Sequence, residues 1–256
     1  MQGLALIGQL PAFATAFLLL FARVGAMLMC LPVFSEDAVP GRIRLLMSLG
    51  LTLGLFGLLS AKLPHAPDDQ AAYAAMVVVE LMIGLALGTL VKIMFTAVSM
   101  AGGLISLQIG LTSALVSDPA MGGQVTVLSK VMSVAAAIVC MSMGVHHVWI
   151  GALVHSYAMF PVGVLPSSAD FAQLVVATVS RATELGLGLA APLIVYGIVF
   201  NVALGLAARL APQIQVFFIA QPLNLLLGMG ITALLMAAML GGFAQAMSAW
   251  TRSVWG

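Results

Sequence analysis

The chain is 256 residues long, 62% hydrophobic and only 7% charged, with a formal net charge of +1. Soluble domains carry about 25% charged residues, so this composition cannot cover a water-facing surface. No basic patch is present, which argues against a nucleic-acid footprint. The mean hydropathy of +1.18 defines an integral membrane protein or the buried part of a membrane complex. Leu, Ala, Gly and Met dominate and strands of alternating polarity are absent, so an all-α fold is expected in place of a barrel.

Met1–Ala22 has no charged side chain. No positive charge precedes it, so a cleaved signal is not expected. Pro11 is expected to kink this segment or to mark where the spanning part begins. The apolar run continues to Pro32 past Arg23. An arginine facing lipid costs on the order of 2.5–3.5 kcal/mol, so Arg23 must face protein, a carboxylate or the interface. A polar turn over Phe34–Arg42 follows. Ile43–Ala61, charged only at Arg44 near its start, is 19 residues long, or roughly 28 Å of helix, close to the hydrocarbon thickness. Gly50 and Gly54 are expected to form a close-packing face for another helix.

Lys62–Gln70 is a polar, proline-containing loop. Ala71–Ala101 is helical by composition, with Glu80 and Lys92 inside it. Their spacing corresponds to roughly 18 Å of helix, too far for direct pairing, so each needs its own partner. Glu80 is either a protein-facing structural anchor or a proton-relay carboxylate. Gly84 and Gly88 mark a second small-residue face.

Met100–Gln124 follows a strongly apolar helix yet is a poor membrane helix itself. Gly102, Gly103, Gly110, Gly122 and Gly123 loosen its backbone, while Ser106, Gln108, Thr112, Ser113, Ser117, Asp118 and Gln124 supply polar groups. Irregular backbone belongs inside protein or beside a water-filled path. The stretch is expected to be a re-entrant, glycine-rich central loop: the moving, path-lining part of an assembly, or an interfacial loop without such a role.

Val125–Ile150 is apolar with Lys130 near its start. His146, His147 and His155 lack an accompanying Cys or carboxylate, so no metal site is expected. Cys30 and Cys140 each sit in an apolar run and read as buried thiols. Phe160–Asp170 is a loop whose Ser167, Ser168 or Asp170 can cap the next helix. Phe171–Ala208 is long, with Arg181 and Glu184 spaced for a local ion pair and Pro192 expected to bend it. Arg209–Pro222, with its prolines and glutamines, is expected to break the following run as a second hinge, leaving Asn224–Ala246 as the last helix. The tail Trp250–Gly256 has the Trp and Arg of an interfacial anchor. About six long hydrophobic helical segments result, some kinked. Lys and Arg are spread thinly over both sides of such a drawing, so orientation is weakly determined.

Four blocks of this chain, in order, resemble the FliR family of flagellar export-gate proteins and the related SctT family of virulence-type systems. They are Phe21-Ala-Arg23-Val-Gly25 with Val39-Pro40-Gly41-Arg42; Gly103–Gly110 with Asp118-Pro119; Gly144–His147 with Ser156–Pro161; and Arg209–Phe217 with Pro222. Gln221, polar where the pattern is apolar, departs from it. The resemblance implies one export-gate membrane domain over residues 1–256, with a FliP-like portion (about 1–165) followed by a FliQ-like hairpin (about 166–256).

By the same resemblance this is a structural and gating subunit of the flagellar type III protein export apparatus. It would sit in the bacterial inner membrane at the flagellar basal body, with FliP, FliQ and FlhB family proteins as partners and unfolded flagellar subunits in transit. No enzymatic activity, cofactor or metal is implied. The gate or plug role falls on Gly102, Gly103, Leu104, Ile105, Ser106, Gln108, Gly110 and Asp118, and Arg23, Glu80, Lys92 and Arg209 are read as structural charges. The alternatives are a virulence-type export-gate subunit and a secondary transporter with Glu80, Lys92 and Arg23 lining a midplane site. An intramembrane enzyme using Asp118 or His146/His147 lacks a gathered nucleophile and base.

Overall fold

A computed structural model describes residues 2–34, 39–60, 63, 64, 67, 69–111, 127–211, 213 and 215–255. Among these the chain forms seven helices: α1 (Gln2–Cys30), α2 (Gly41–Leu59), α3 (Gln70–Gln108), α4 (Val127–Ser142), α5 (Val145–Met159), α6 (Ser168–Leu210) and α7 (Val216–Trp255). Five are long and apolar enough to cross a membrane, and the α4–α5 pair, bent by 75°, is a sixth candidate. The expected all-α membrane architecture is borne out.

Several boundaries differ from the sequence expectation, and the differences share a cause. Pro11, Pro192 and Pro222 all lie inside helices. The break before α7 is therefore confined to residues 211–215 instead of reaching Pro222, and α7 continues past Ala246 through the Trp/Arg tail. Likewise α3 runs through Gly102 and Gly103 to Gln108. In an apolar setting the backbone has no water to bond, so the intrahelical ladder outweighs the local preference of Gly and Pro. Gly144 (φ +74°) supplies the left-handed residue at the α4–α5 bend. Asp69 starts α3, its two carboxylate oxygens accepting from the N–H groups of Ala71 (3.2 Å) and Ala72 (3.3 Å).

The chain divides into two compact units. One comprises Met1–Ile93, His146–Thr178 and Trp250–Gly256; the other comprises Met94–Val145 and Val179–Ala249. In the first, α3 lies so close to α1 that a methyl group at Gly88 would stand 2.6 Å from Cys30 Cβ and 2.7 Å from the Met27 carbonyl oxygen. Gly84 is similarly closed off by the Arg23 carbonyl and Ala26. Phe13 and Phe17 pack their rings against Phe56 of α2, and Tyr73 Oη donates to the Thr15 carbonyl at 3.0 Å. Gly50 and Gly54 of α2 have nothing within 4 Å of an added Cβ, so the expected helix neighbour is not supplied by the described part of this chain.

In the second unit, Leu128, Met132, Ala136 and Cys140 form the buried face of α4, four residues apart. Phe95 and Phe243 meet edge to face at 5.3 Å. Buried hydroxyls are satisfied one turn back in both units: Thr178 Oγ1 on the Leu174 carbonyl in the first and Thr232 Oγ1 on the Gly228 carbonyl in the second, each at 2.7 Å.

Candidate functional site

Residues 102–108 end α3 and 109–111 continue from it, and in the second unit they are held by three other helices. On the α4 side, a Cβ at Gly102 would stand 2.6 Å from Ser129 Cα, a backbone approach that only glycine permits. Ser129 Oγ donates to the Ser99 carbonyl (2.9 Å), and the Ser99 and Ser133 hydroxyls are 2.9 Å apart. Gly103 is in ordinary contact with Ser129, and Ser106 Oγ donates back to the Gly102 carbonyl at 2.8 Å.

On the α6 and α7 side, Gly197 sits against the Gln108 side chain and Gly228 against Ile109. Asn224 Nδ2 donates to the Gln108 carbonyl (3.1 Å), and its Oδ1 accepts from Tyr196 Oη (2.9 Å). That bond matters because the last carbonyls of a helix have no partner of their own. Gly110, at φ +79°, turns the chain out of the helix and abuts the Gln221 amide. Ile105 and Ile109 are fully buried, whereas Leu107 is 60% exposed.

The helix end opens on an apolar cavity of about 450 Å³, whose lining includes Leu111, Val127, Val131, Met229, Thr232 and Met236. Leu111 and Val127 flank residues 112–126, so both described ends of that segment reach this cavity. Asp118 lies outside the described residues. Six of the expected gate residues, Gly102 to Ser106 and Gln108, are thus brought together with Gly110, but on the last turns of a helix and not in a loop. Sequence reasoning missed Tyr196 and Asn224, which look like isolated polar residues in apolar runs. The one signal was Gln221, a polar residue out of pattern.

The charges expected to be structural fall elsewhere. Arg23 and Glu80 are both 0% exposed and pair through two parallel bonds, Nε to Oε2 (2.7 Å) and one terminal nitrogen to Oε1 (3.0 Å). The same nitrogen reaches the Phe160 carbonyl (3.0 Å), and the other reaches the Ser156 carbonyl (3.2 Å) and hydroxyl (3.3 Å). Five donors therefore meet five acceptors, the full capacity of a guanidinium. Its flat face lies 4.0 Å from the Tyr157 ring centroid. Glu80 Oε1 also accepts from Gly163 N–H at 3.2 Å. Lys92 and Arg209 are exposed, and Arg209 occupies the last turn of α6, where a cation complements the helix dipole. Arg181 and Glu184 form the local pair at 2.7 Å, both exposed. Among the described residues no cluster of His, Cys, Asp or Glu is arranged to hold a metal.

This architecture defines a multi-pass α-helical membrane protein, built around close glycine contacts and the buried Arg23–Glu80 pair. Residues 14–250 match the family described as Bacterial export proteins, family 1, and the chain belongs to that family. It is 39% identical to the flagellar biosynthetic protein FliR of Caulobacter vibrioides over 87% of this chain and 91% of that protein. It is 33% identical to the FliR of Escherichia coli K12, covering 84% of this chain and 81% of that one. It is also 26% identical to the Yop proteins translocation protein T of Yersinia pestis, over 81% and 80% of the two chains.

Proposed function

We propose that the chain is a structural and gating subunit of the flagellar type III protein export apparatus in the bacterial inner membrane. In this reading it forms, with FliP and FliQ, the pore through which unfolded flagellar subunits leave. It contacts FlhB and belongs to the flagellar basal body. Residues up to about 165 are the FliP-like portion and the remainder the FliQ-like one. The likeness to two FliR proteins supports the flagellar role.

Assembly with other helices is supported by surface left uncovered. Only 17% of the spanning window of α2 and 22% of that of α6 are buried within the chain. At 39, 43 and 40 residues, α3, α6 and α7 are each roughly 58–65 Å long, about twice what a bilayer needs. Such helices suit a subunit whose body rises beyond the hydrocarbon layer.

The observation that carries the gating role is the seat of the α3 end. A left-handed glycine turn, apolar side chains and neutral hydrogen bonds, each worth about 1 kcal/mol, hold it beside an apolar cavity. Gly102, Gly103, Leu104, Ile105, Ser106, Gln108, Gly110 and Asp118 belong to this gate. Apolar side chains seal against ions by dewetting without recognising any particular substrate. A variant chain at Gly110→Val tests it: reduced export with an altered resting ion leak is expected, and wild-type values of both would sink the gate.

The assembly is tested separately by expressing the chain with FliP and FliQ and measuring the mass of the detergent-extracted complex. A chain that ignores both partners would overturn it. A virulence-type role is the second reading, favoured by the likeness to the Yersinia translocation protein, but at 26% against 39% identity. The solute-transporter reading loses its midplane site, because Arg23 and Glu80 are sealed from solvent and bonded to each other.

A further inference from the structure

Among the described residues, four buried polar side-chain atoms find no hydrogen-bond partner: His146 Nδ1, Trp149 Nε1, Tyr157 Oη and Trp255 Nε1. All lie in the first compact unit, three on α5 and one in the last turn of α7. Native structures leave few such groups, and each calls for an explanation. Trp255 is also in the wall of a groove of about 400 Å³ between α5 and the last turns of α7, whose lining includes His147, Val148, Gly151, Ala152, His155 and Arg252. That volume is within the usual range of ligand pockets.

The charged and ionisable side chains of the lining are all basic. His147, Gly151 and His155 are four residues apart on one face of α5. An added Cβ at Gly151 would meet nothing within 4 Å, so the groove stays open there. Arg252 is exposed, no Asp or Glu lines the groove, and His147 lies in the first turn of α5, the positive end of a helix dipole. Trp255, 2% exposed, forms part of the wall and keeps its indole N–H unpaired. His146, whose ring centroid is 4.0 Å from that of His147, carries a second unpaired nitrogen.

We propose that this groove binds the phosphate of an anionic phospholipid headgroup. A guanidinium fork matches phosphate oxygens, and imidazoles add further donors. The lipid source follows from position. The groove lies at the end of the apolar span Phe218–Trp255, where Trp250 and Trp255 meet edge to face at 5.2 Å. Both rings are buried, so the level is set by the end of the span and by exposed Arg252 beside it, and basic pockets between membrane helices hold anionic headgroups. The proposal rests on the membrane architecture and not on the export role, so either can fail alone.

The test uses the full-length chain, in the complex in which it purifies, reconstituted in nanodiscs of phosphatidylcholine with or without phosphatidylglycerol. Lipid retained after a detergent wash is identified by mass spectrometry, and the thermal midpoint is followed in parallel. Wild type is expected to retain phosphatidylglycerol selectively, and Arg252→Gln to reduce that retention about fivefold. The double variant His147→Gln/His155→Gln should give a smaller loss. If Arg252→Gln does not elute as a single species, Arg252→Lys is used, and retention between the wild-type value and the fivefold loss is expected. Equal retention by wild type and the Arg252 variant overturns the proposal. So does stabilisation by inorganic phosphate alone that matches phosphatidylglycerol, which would make this a soluble-anion site.

Discussion

The Arg23–Glu80 cluster and the end of α3 solve the same problem, fixing polar groups in an oily protein, by opposite means. The first uses full charges, with every guanidinium donor engaged and both side chains 0% exposed. The second uses neutral amides, hydroxyls and glycines that bring backbones together. A buried pair with one partner removed costs several kcal/mol, whereas a neutral hydrogen bond contributes about 1 kcal/mol. The charged cluster ties α1, α3, the end of α5 and the turn at Phe160–Gly163 together. The α3 end is held by bonds that are each worth less, as the proposed gate requires.

This contrast can be broken most sharply at the ion pair. Arg23→Ala leaves Glu80 buried and uncompensated, so a loss of about 3–5 kcal/mol is expected. It should be visible as collapse of the purified yield and of the thermal midpoint. Arg23→Lys keeps the charge but supplies three donors for five acceptors, and should recover part of that loss only.

Next in size is the helix contact at Gly102. A Cβ there meets the backbone at Ser129 and not a flexible side-chain tip, so Gly102→Ala should cost about 1–3 kcal/mol, measured by thermal unfolding in detergent. Gly110→Ala places a side chain at φ +79°, for about 1–2 kcal/mol. If the α3 end is the gate, its functional effect should exceed its effect on stability, read as export against thermal midpoint.

Asn224→Leu removes the donor to the Gln108 carbonyl and should cost about 1 kcal/mol. The smallest effect is expected at Gly50→Ala, where the space is open. The isolated chain should be unchanged or slightly stabilised by the better helix propensity of alanine. A loss of co-purifying partners in that variant would identify the α2 glycine face as an assembly surface.

Composition and hydropathy alone determined the all-α membrane class, because a chain with so few charges has no other solvent to face. The depth of Arg23 in an apolar run also meant that it must face protein, a carboxylate or the interface, since lipid is costly; the structure selects the carboxylate of Glu80. The four ordered blocks carried the family, which the matched residues 14–250 bear out. Local punctuation was the weaker guide. Gly102-Gly103 and Pro222 read as breaks, yet both lie inside helices, because residue preferences set in water yield to the backbone ladder in an apolar interior.

Only the tertiary structure decided which groups meet. Glu80 finds its partner 57 residues away, and Asn224 reaches a carbonyl 116 residues away, separations at which sequence spacing carries no information about contact. The small-residue faces show the same limit. Gly50/Gly54 and Gly84/Gly88 have the same spacing in the sequence. One pair stands in open space and the other is pressed against the α1 backbone. A four-residue glycine spacing specifies that a helix can approach closely, but the packing of the whole chain decides whether one does.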